Sequence, residues 1–308
     1  MVDSDFAASP FAPPVAAAPA GHRYTRIRVD QCAGACGAVI SGVDLSTTLD
    51  DEAVSEIRRA ILDYLVVFFR DQSLSAEQQV AFSHRFGGYS NVPFIEPIAG
   101  HPEVIAVVRE PQERQGFAFG GLWHSDFSFL QQPPFGSILH AIEVPPYGAD
   151  TLWSNQYLAY STLSSGLQAT LQTLRGVHSA TNAYSKKMQS IHDSFMGMKV
   201  HTDDSANECV EQPVVRLHGE TGQPALYVNA QYTVGLAGWA PHEARLLLDY
   251  LFAHSVQPAF TCRWRWSVGD LAFWDNRALQ HMAMADVSGH RRYMHRTTVE
   301  GEIPIATQ

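Results

Sequence analysis

The chain has 308 residues, 45% of them hydrophobic and only 17% charged, with a formal net charge of −10. No Lys/Arg run exceeds two residues (Arg58–Arg59, Lys186–Lys187, Arg291–Arg292), which argues against a nucleic-acid surface. No apolar run approaches a membrane span: "AILDYLVVFF" is too short and reads as core.

Residues 1–22 are rich in Ala and Pro, and Asp3 and Asp5 stand where a secretory signal would be positive. This segment is expected to be a flexible tail ahead of one domain, 23–308, in the cytoplasm. Cys32 and Cys36 could form half a metal site, but Cys209 and Cys262 are isolated, so reduced thiols are expected. "YTRIRV" and "GAVISGVDL" predict short strands. "DDEAVSEIRRAILDYLVVFFRD" predicts a helix capped by Asp50 or Asp51 that runs into a buried strand. "SAEQQVAFSHRFGG" predicts a second helix, capped by Ser75 and stopped at Gly87–Gly88.

From about Pro102 the pattern changes. "EVIAVV", "SILHAIEV", "PVVRLH", "ALYVN", "LAFWDN" and "RRYMHRTTVEG" are short apolar runs separated by Gly/Pro turns. They predict a mainly β core, a sandwich or jelly roll, with flanking helices over "STLSSGLQATLQTL" and "APHEARLLLDYLFAH".

The chemistry concentrates in two places. In "GLWHSDFSFL", His124 and Asp126 lie two apart, so in a strand both face one side. Alone, this is a weak sign, equally a hydrogen-bonded pair on a loop. In the second half His281 follows a strand, and Arg292 and Arg296 share a face four residues apart. Cations on one buried face need anions, and guanidinium binds carboxylate bidentately. Two histidines and one carboxylate with open positions suit non-haem Fe(II) and O₂ chemistry.

With these motifs the chain resembles the taurine/2,4-dichlorophenoxyacetate dioxygenase family of Fe(II)/2-oxoglutarate-dependent oxygenases. "GVDL", "FFRDQ", "WHSD", "PPYGADTLWSN", "GQPALYVN", "GDLAFWDNRALQH" and "RRYMHRTTVEG" run in family order between about residues 24 and 301. The resemblance implies a double-stranded β-helix, with His124, Asp126 and His281 as iron ligands. It also implies that Thr151 and Arg292 hold the C5 carboxylate of 2-oxoglutarate and that Arg296 meets the substrate's anion. Oxidative decarboxylation of 2-oxoglutarate with O₂ would give succinate and CO₂, coupled to substrate hydroxylation. A homo-oligomer is the family's habit.

The taurine enzymes place a histidine where this chain has Val92 and an asparagine where it has Gly120, so the pocket here is expected to be less polar. "NVPFIEPIAGHPEV" and "ALYVNAQY" look more like the aryloxyalkanoate dioxygenases. In that subgroup a tyrosine matched by Tyr232 joins the arginine matched by Arg296 on a carboxylate. Val92, Ile95, Phe119 and Phe129 are expected to wall the apolar part. Sulfonate or sulfate-ester cleavage is the alternative substrate reading, and a catalytically dead binding scaffold a remote one. A bare scaffold would not need all five of His124, Asp126, His281, Thr151 and Arg292, and a zinc hydrolase would not use the Thr/Arg clamp. His140, His178, His201, His218, His242, His254, His290 and His295 are expected to be structural or peripheral. Trp274 and Asp275 are candidate supports for His281, or else strand-end packing. Lys186 and Lys187, in an insert resembling a family lid, are expected to be solvated, with contact to substrate the alternative.

Overall fold

In the computed structural model of the protein, which describes residues 22–113 and 118–307, the predicted β runs build a double-stranded β-helix. The first six strands are β1 (Arg28–Gln31), β2 (Ala38–Ser41), β3 (Val66–Phe69), β4 (Ile105–Arg109), β5 (Gly136–Glu143) and β6 (Thr151–Asn155). Then come β7 (Arg175–Ser179), β8 (Cys209–Pro213), β9 (Val215–Leu217), β10 (Pro224–Leu226) and β11 (Thr233–Leu236). The last five are β12 (Thr261–Trp264), β13 (Leu271–Asp275), β14 (Leu279–Ala283), β15 (Arg292–Val299) and β16 (Ile305–Ala306). A seven-stranded sheet runs β1-β2-β3-β13-β5-β15-β4, and a three-stranded sheet, β12-β6-β14, lies on it. The strands β11-β7-β8 and β10-β9-β16 make two more small sheets.

Strand β3 explains the layering. "VVFF" has no polar residue and is buried throughout. Because successive side chains alternate faces, Val66 and Phe68 enter the core between the sheets, with Trp153 and Trp274. Val67 and Phe69 enter a second core against the helix α1 (Asp51–Tyr64), with Ile57 and Ile61. Phe68 stacks on Trp264 of β12 at a centroid distance of 3.9 Å and meets Trp153 of β6 edge-on at 5.3 Å. Each such aromatic contributes on the order of 2–3 kcal/mol by burial, and together they clamp the small sheet onto the large one.

Asp50 caps α1 by accepting from Ala53 N, and Ser75 with Gln78 forms a capping box on α2 (Ala76–His84). The first strand begins at Arg28 rather than at Tyr24. The cause is Glu56, buried on α1, whose carboxylate accepts from the backbone N–H groups of Thr25, Arg26 and Ile27 and from the Thr25 hydroxyl. Those amides are no longer available to a ladder. "ALYVN" likewise is strand only as far as Leu226.

The helices predicted in the second half form over Ser165–Gln172 and Pro241–Ser255. No described helix is long and apolar enough to cross a membrane. The expected tail lies outside the described residues except for His22, whose Nδ1 is 2.7 Å from Asp63 Oδ2. All four cysteines are free. Cys262, isolated in the sequence, lies beside Cys36, and that hydrogen bond together with burial pushes its thiol well above the ordinary range.

Candidate active site

The edge of β14 creates the centre. His281 sits on it, and His124 pairs with it as an isolated antiparallel bridge: His281 N donates to His124 O at 2.8 Å and His124 N to His281 O at 3.1 Å. Residues opposed in an antiparallel pair project to one side, so the two imidazoles stand 4.2 Å apart. Asp126, two residues on, turns back to the same point. Phe127 then takes a left-handed conformation at φ 49°, which laterally redirects the chain. One donor atom each from His124, Asp126 and His281 lies within 4.8 Å of the others.

The donor atoms suit a cation. His124 Nδ1–H donates to Leu122 O at 2.7 Å, which turns Nε2 toward Asp126, 3.6 Å from its Oδ1. His281 Nε2 is 3.9 Å from the same oxygen, and its Nδ1 is buried without a partner. Burial and the adjacent His124 push His281 down to about 3, so its ring is neutral at neutral pH. Burial works to raise Asp126, but Arg296, His281 and His124 outweigh it and hold the carboxyl well below the usual range. Two imidazoles and a carboxylate converging on one side fit an Fe(II) centre with open positions.

Asp126 is fixed by a chain of buried hydrogen bonds. Its Oδ2 accepts from Ser137 Oγ at 2.7 Å, and Ser137 Oγ accepts from Asn276 Nδ2 at 3.0 Å. Asn276 Oδ1 accepts from Trp274 Nε1 at 2.9 Å, and Asn276 O from Ser125 Oγ at 2.6 Å. Trp274 also packs on the His281 ring, 4.7 Å between centroids. Asp275 points elsewhere, to Arg277 and His218. Neither Ser137 nor Asn276 carries a sequence signal, since the bonds that tie them to Asp126 and to each other span 11 and 139 residues. Asn276→Ala is expected to lower Fe(II) affinity about 10- to 100-fold with the fold retained, measured by anaerobic metal titration beside thermal melting. Unchanged affinity would refute the positioning role.

Thr151 and Arg292 come together around Trp266. The indole Nε1 donates to Thr151 Oγ1 at 3.0 Å, and the Arg292 guanidinium lies 6.0 Å from the Trp266 ring. Arg292 Nε is buried without a partner. Burial and the neighbouring Arg109 lower its guanidinium to about 10.

Beside the triad opens a cavity of about 260 Å³, bordered by Phe119, Gly120, Phe127, Tyr232 and Arg296. Gly120 has φ +75°, and a Cβ there would stand 3.4 Å from His124 Cε1, so a side chain would strain the backbone and press on the ligand ring. Val92, Ile95 and Phe129 do not border the cavity. They lie one layer behind it, packed with Phe127, Tyr184 and Tyr232. Phe129 meets the Tyr232 ring at 4.9 Å and so supports the wall rather than forming it.

The insert contributes Tyr184, Met188, His192 and Phe195 to the lining, none of which the sequence pattern singled out. Its lysines stay outside: Lys186 pairs with Asp204, and Lys187 is exposed. His178, His218 and His254 are structural, bonded to Ser128, Asp275 and the Ala159 carbonyl respectively.

Arg296 borders the cavity from β15. Its Nη1 donates to Asp126 Oδ1 at 3.2 Å and its guanidinium lies 5.1 Å from the Phe127 ring, while Nε and Nη2 are buried without partners.

Residues 28–298 match the model of the taurine catabolism dioxygenase TauD, TfdA family. The chain is 33% identical to an alpha-ketoglutarate-dependent sulfate ester dioxygenase of Pseudomonas putida, covering 90% of each chain. It is 32% identical to an alpha-ketoglutarate-dependent 2,4-dichlorophenoxyacetate dioxygenase of Cupriavidus pinatubonensis, covering 86% of this chain and 95% of that one. Its fold matches the crystal structure of a taurine dioxygenase from Burkholderia xenovorans with a TM-score of 0.76 and 37% identity, over 92% of this chain and 93% of that one. With a three-donor centre of the right chemistry on a matching fold, the chain belongs to the TauD/TfdA family and is an Fe(II)- and 2-oxoglutarate-dependent dioxygenase.

Proposed function

We propose that the enzyme hydroxylates a small organic anion with an apolar or aromatic body, a carboxylate of the aryloxyalkanoate kind. The observation that carries this reading is Arg296: a buried guanidinium with Nε and Nη2 unpartnered, at the wall of a mostly apolar cavity beside the triad. Burying donors unsatisfied is costly, and a carboxylate accepts from two of them at once.

His124, Asp126 and His281 hold the metal, and Thr151 and Arg292 hold the far carboxylate of 2-oxoglutarate. Bound iron, with 2-oxoglutarate and O₂, supplies oxidation of a C–H bond with release of succinate and CO₂. This chain's residues do the positioning. Arg296 anchors the substrate's charged end, and Tyr232 stands beside it, its hydroxyl held protonated by burial and by the neighbouring Tyr184. Phe119 and Phe127 surround the body and exclude water, and Gly120 leaves room next to His124. Hydroxylation at a carbon bearing an ether oxygen gives a hemiacetal-type product that collapses to a carbonyl compound and a phenol.

A second reading, cleavage of a sulfate ester or sulfonate, draws support from the names of the Pseudomonas and Burkholderia relatives. Against it, Gly120 offers no side-chain contact for a sulfonate at the cavity wall. The deciding experiment measures substrate-dependent succinate formation across matched aryloxyalkanoates, aliphatic carboxylates, alkyl sulfonates and alkyl sulfate esters. Highest kcat/KM on an aryl-bearing carboxylate is the expected result, and highest kcat/KM on a sulfate ester or sulfonate overturns the carboxylate reading in favour of the second.

A further inference from the structure

Strand β4 ends on a cation that the reading above leaves unused. Arg109 lies directly opposite Arg292 in the β4–β15 register, with Val107 opposite Met294 and Ile105 opposite Arg296. Opposed residues of antiparallel strands project to the same side, so Arg109 faces the interior of the β-helix with Arg292. It is 8% exposed, and both Nη1 and Nη2 are buried without a hydrogen-bond partner. Arg109 and Arg292 border one cavity, together with Ala149, two residues before Thr151. Ala118 and Phe119 border both this cavity and the one beside the triad. The acidic residue at its rim, Glu113, accepts from Met196 N instead.

Two guanidiniums side by side in a buried space repel each other, and each is costly to desolvate alone. A carboxylate between them removes both penalties, because its two oxygens offer enough lone pairs for two arginines and a hydroxyl. We infer that Arg109 is a second guanidinium for the C5 carboxylate of 2-oxoglutarate, sharing it with Arg292 and Thr151. This rests on the reading of Arg292 and Thr151 as the cosubstrate's anchor. Its consequence is selectivity: the site takes 2-oxo dicarboxylates and rejects 2-oxo monocarboxylates of equal length more strongly than one arginine would allow.

The test is calorimetric binding of 2-oxoglutarate and of 2-oxopentanoate, which lacks the C5 carboxylate, to the Mn(II)-loaded full chain. Wild type, R109Q and R109K are compared, and thermal melting reports folding. Expected is a loss of 2-oxoglutarate affinity in R109Q of roughly 10- to 100-fold, the range of a hydrogen bond to a charged group. Binding of 2-oxopentanoate stays within about threefold of wild type, and R109K recovers part of the loss, because a point charge replaces the fork. Should R109Q not fold, R109K carries the same comparison with a smaller loss confined to 2-oxoglutarate. Wild-type affinity for 2-oxoglutarate in the variant overturns the inference, and so does an equal loss for both acids. Failure of the wild type itself to bind 2-oxoglutarate, with Mn(II) bound, instead overturns the anchor reading on which it rests.

Discussion

Replacing His281 by alanine is expected to lower the turnover of 2-oxoglutarate to succinate by roughly three orders of magnitude or more, about 4 kcal/mol in barrier. Stoichiometric Fe(II) binding should be lost with it. The substitution removes one of three donors and leaves His124 and Asp126 as a two-donor site on a wall that also holds Arg296. The fold has little reason to fail. The bridge between β14 and His124 is made by backbone N–H and C=O groups, which alanine keeps, and the packing lost is one ring face against Trp274. Anaerobic Fe(II) titration and succinate assay therefore separate the ligand role from a structural one. A folded His281→Ala protein that binds Fe(II) at wild-type affinity and turns over normally would remove His281 from the centre.

The architecture was legible where one physical pattern acts alone. The unbroken apolar run "VVFF" marks a buried strand, the even spacing of Arg292 and Arg296 in "RRYMHRTTVEG" puts both on one face, and the cap at Asp50 begins α1 where the structure begins it. The histidines and Asp126 were legible because metal chemistry demands those donor types. What escaped was information carried between distant segments. Likeness of a segment to a family does not tell how deep each side chain sits, and Val92, Ile95 and Phe129, expected in the wall on that likeness, stand behind it. Ser137, Asn276 and Trp266 are ordinary polar or aromatic residues locally; the bonds from Ser137 to Asp126, from Trp266 to Thr151 and from Asn276 to Ser137 span 11 to 139 positions. Arg109 was invisible for the same reason, since its significance lies in standing across from Arg292. Glu56 shows the converse: one buried carboxylate cancelled the first half of a predicted strand by taking its amides.

Arg296→Met should separate two roles that the guanidinium holds at once. One is the proposed attraction for the substrate's anion, and losing a buried charged partner costs about 2–5 kcal/mol, which is a rise in KM of at least about 30-fold. The other is its bond to Asp126 Oδ1 at 3.2 Å, which places a positive charge beside a carboxylate that the metal also uses. Removing that charge relieves its repulsion with a divalent ion and leaves Asp126 to the metal alone. Fe(II) affinity is therefore expected to hold or to rise, even as substrate affinity collapses. Binding of 2-oxoglutarate should change little, because Arg292 and Thr151 lie on Trp266, away from the Phe127 ring that backs Arg296. Arg296→Lys restores the charge without the planar fork and should recover KM in part. Steady-state kinetics on the best substrate of the panel, with anaerobic metal and 2-oxoglutarate titrations of the same preparations, gives all three values. A fall in metal affinity that matches the rise in KM would make Arg296 a support for Asp126 and remove it from substrate recognition.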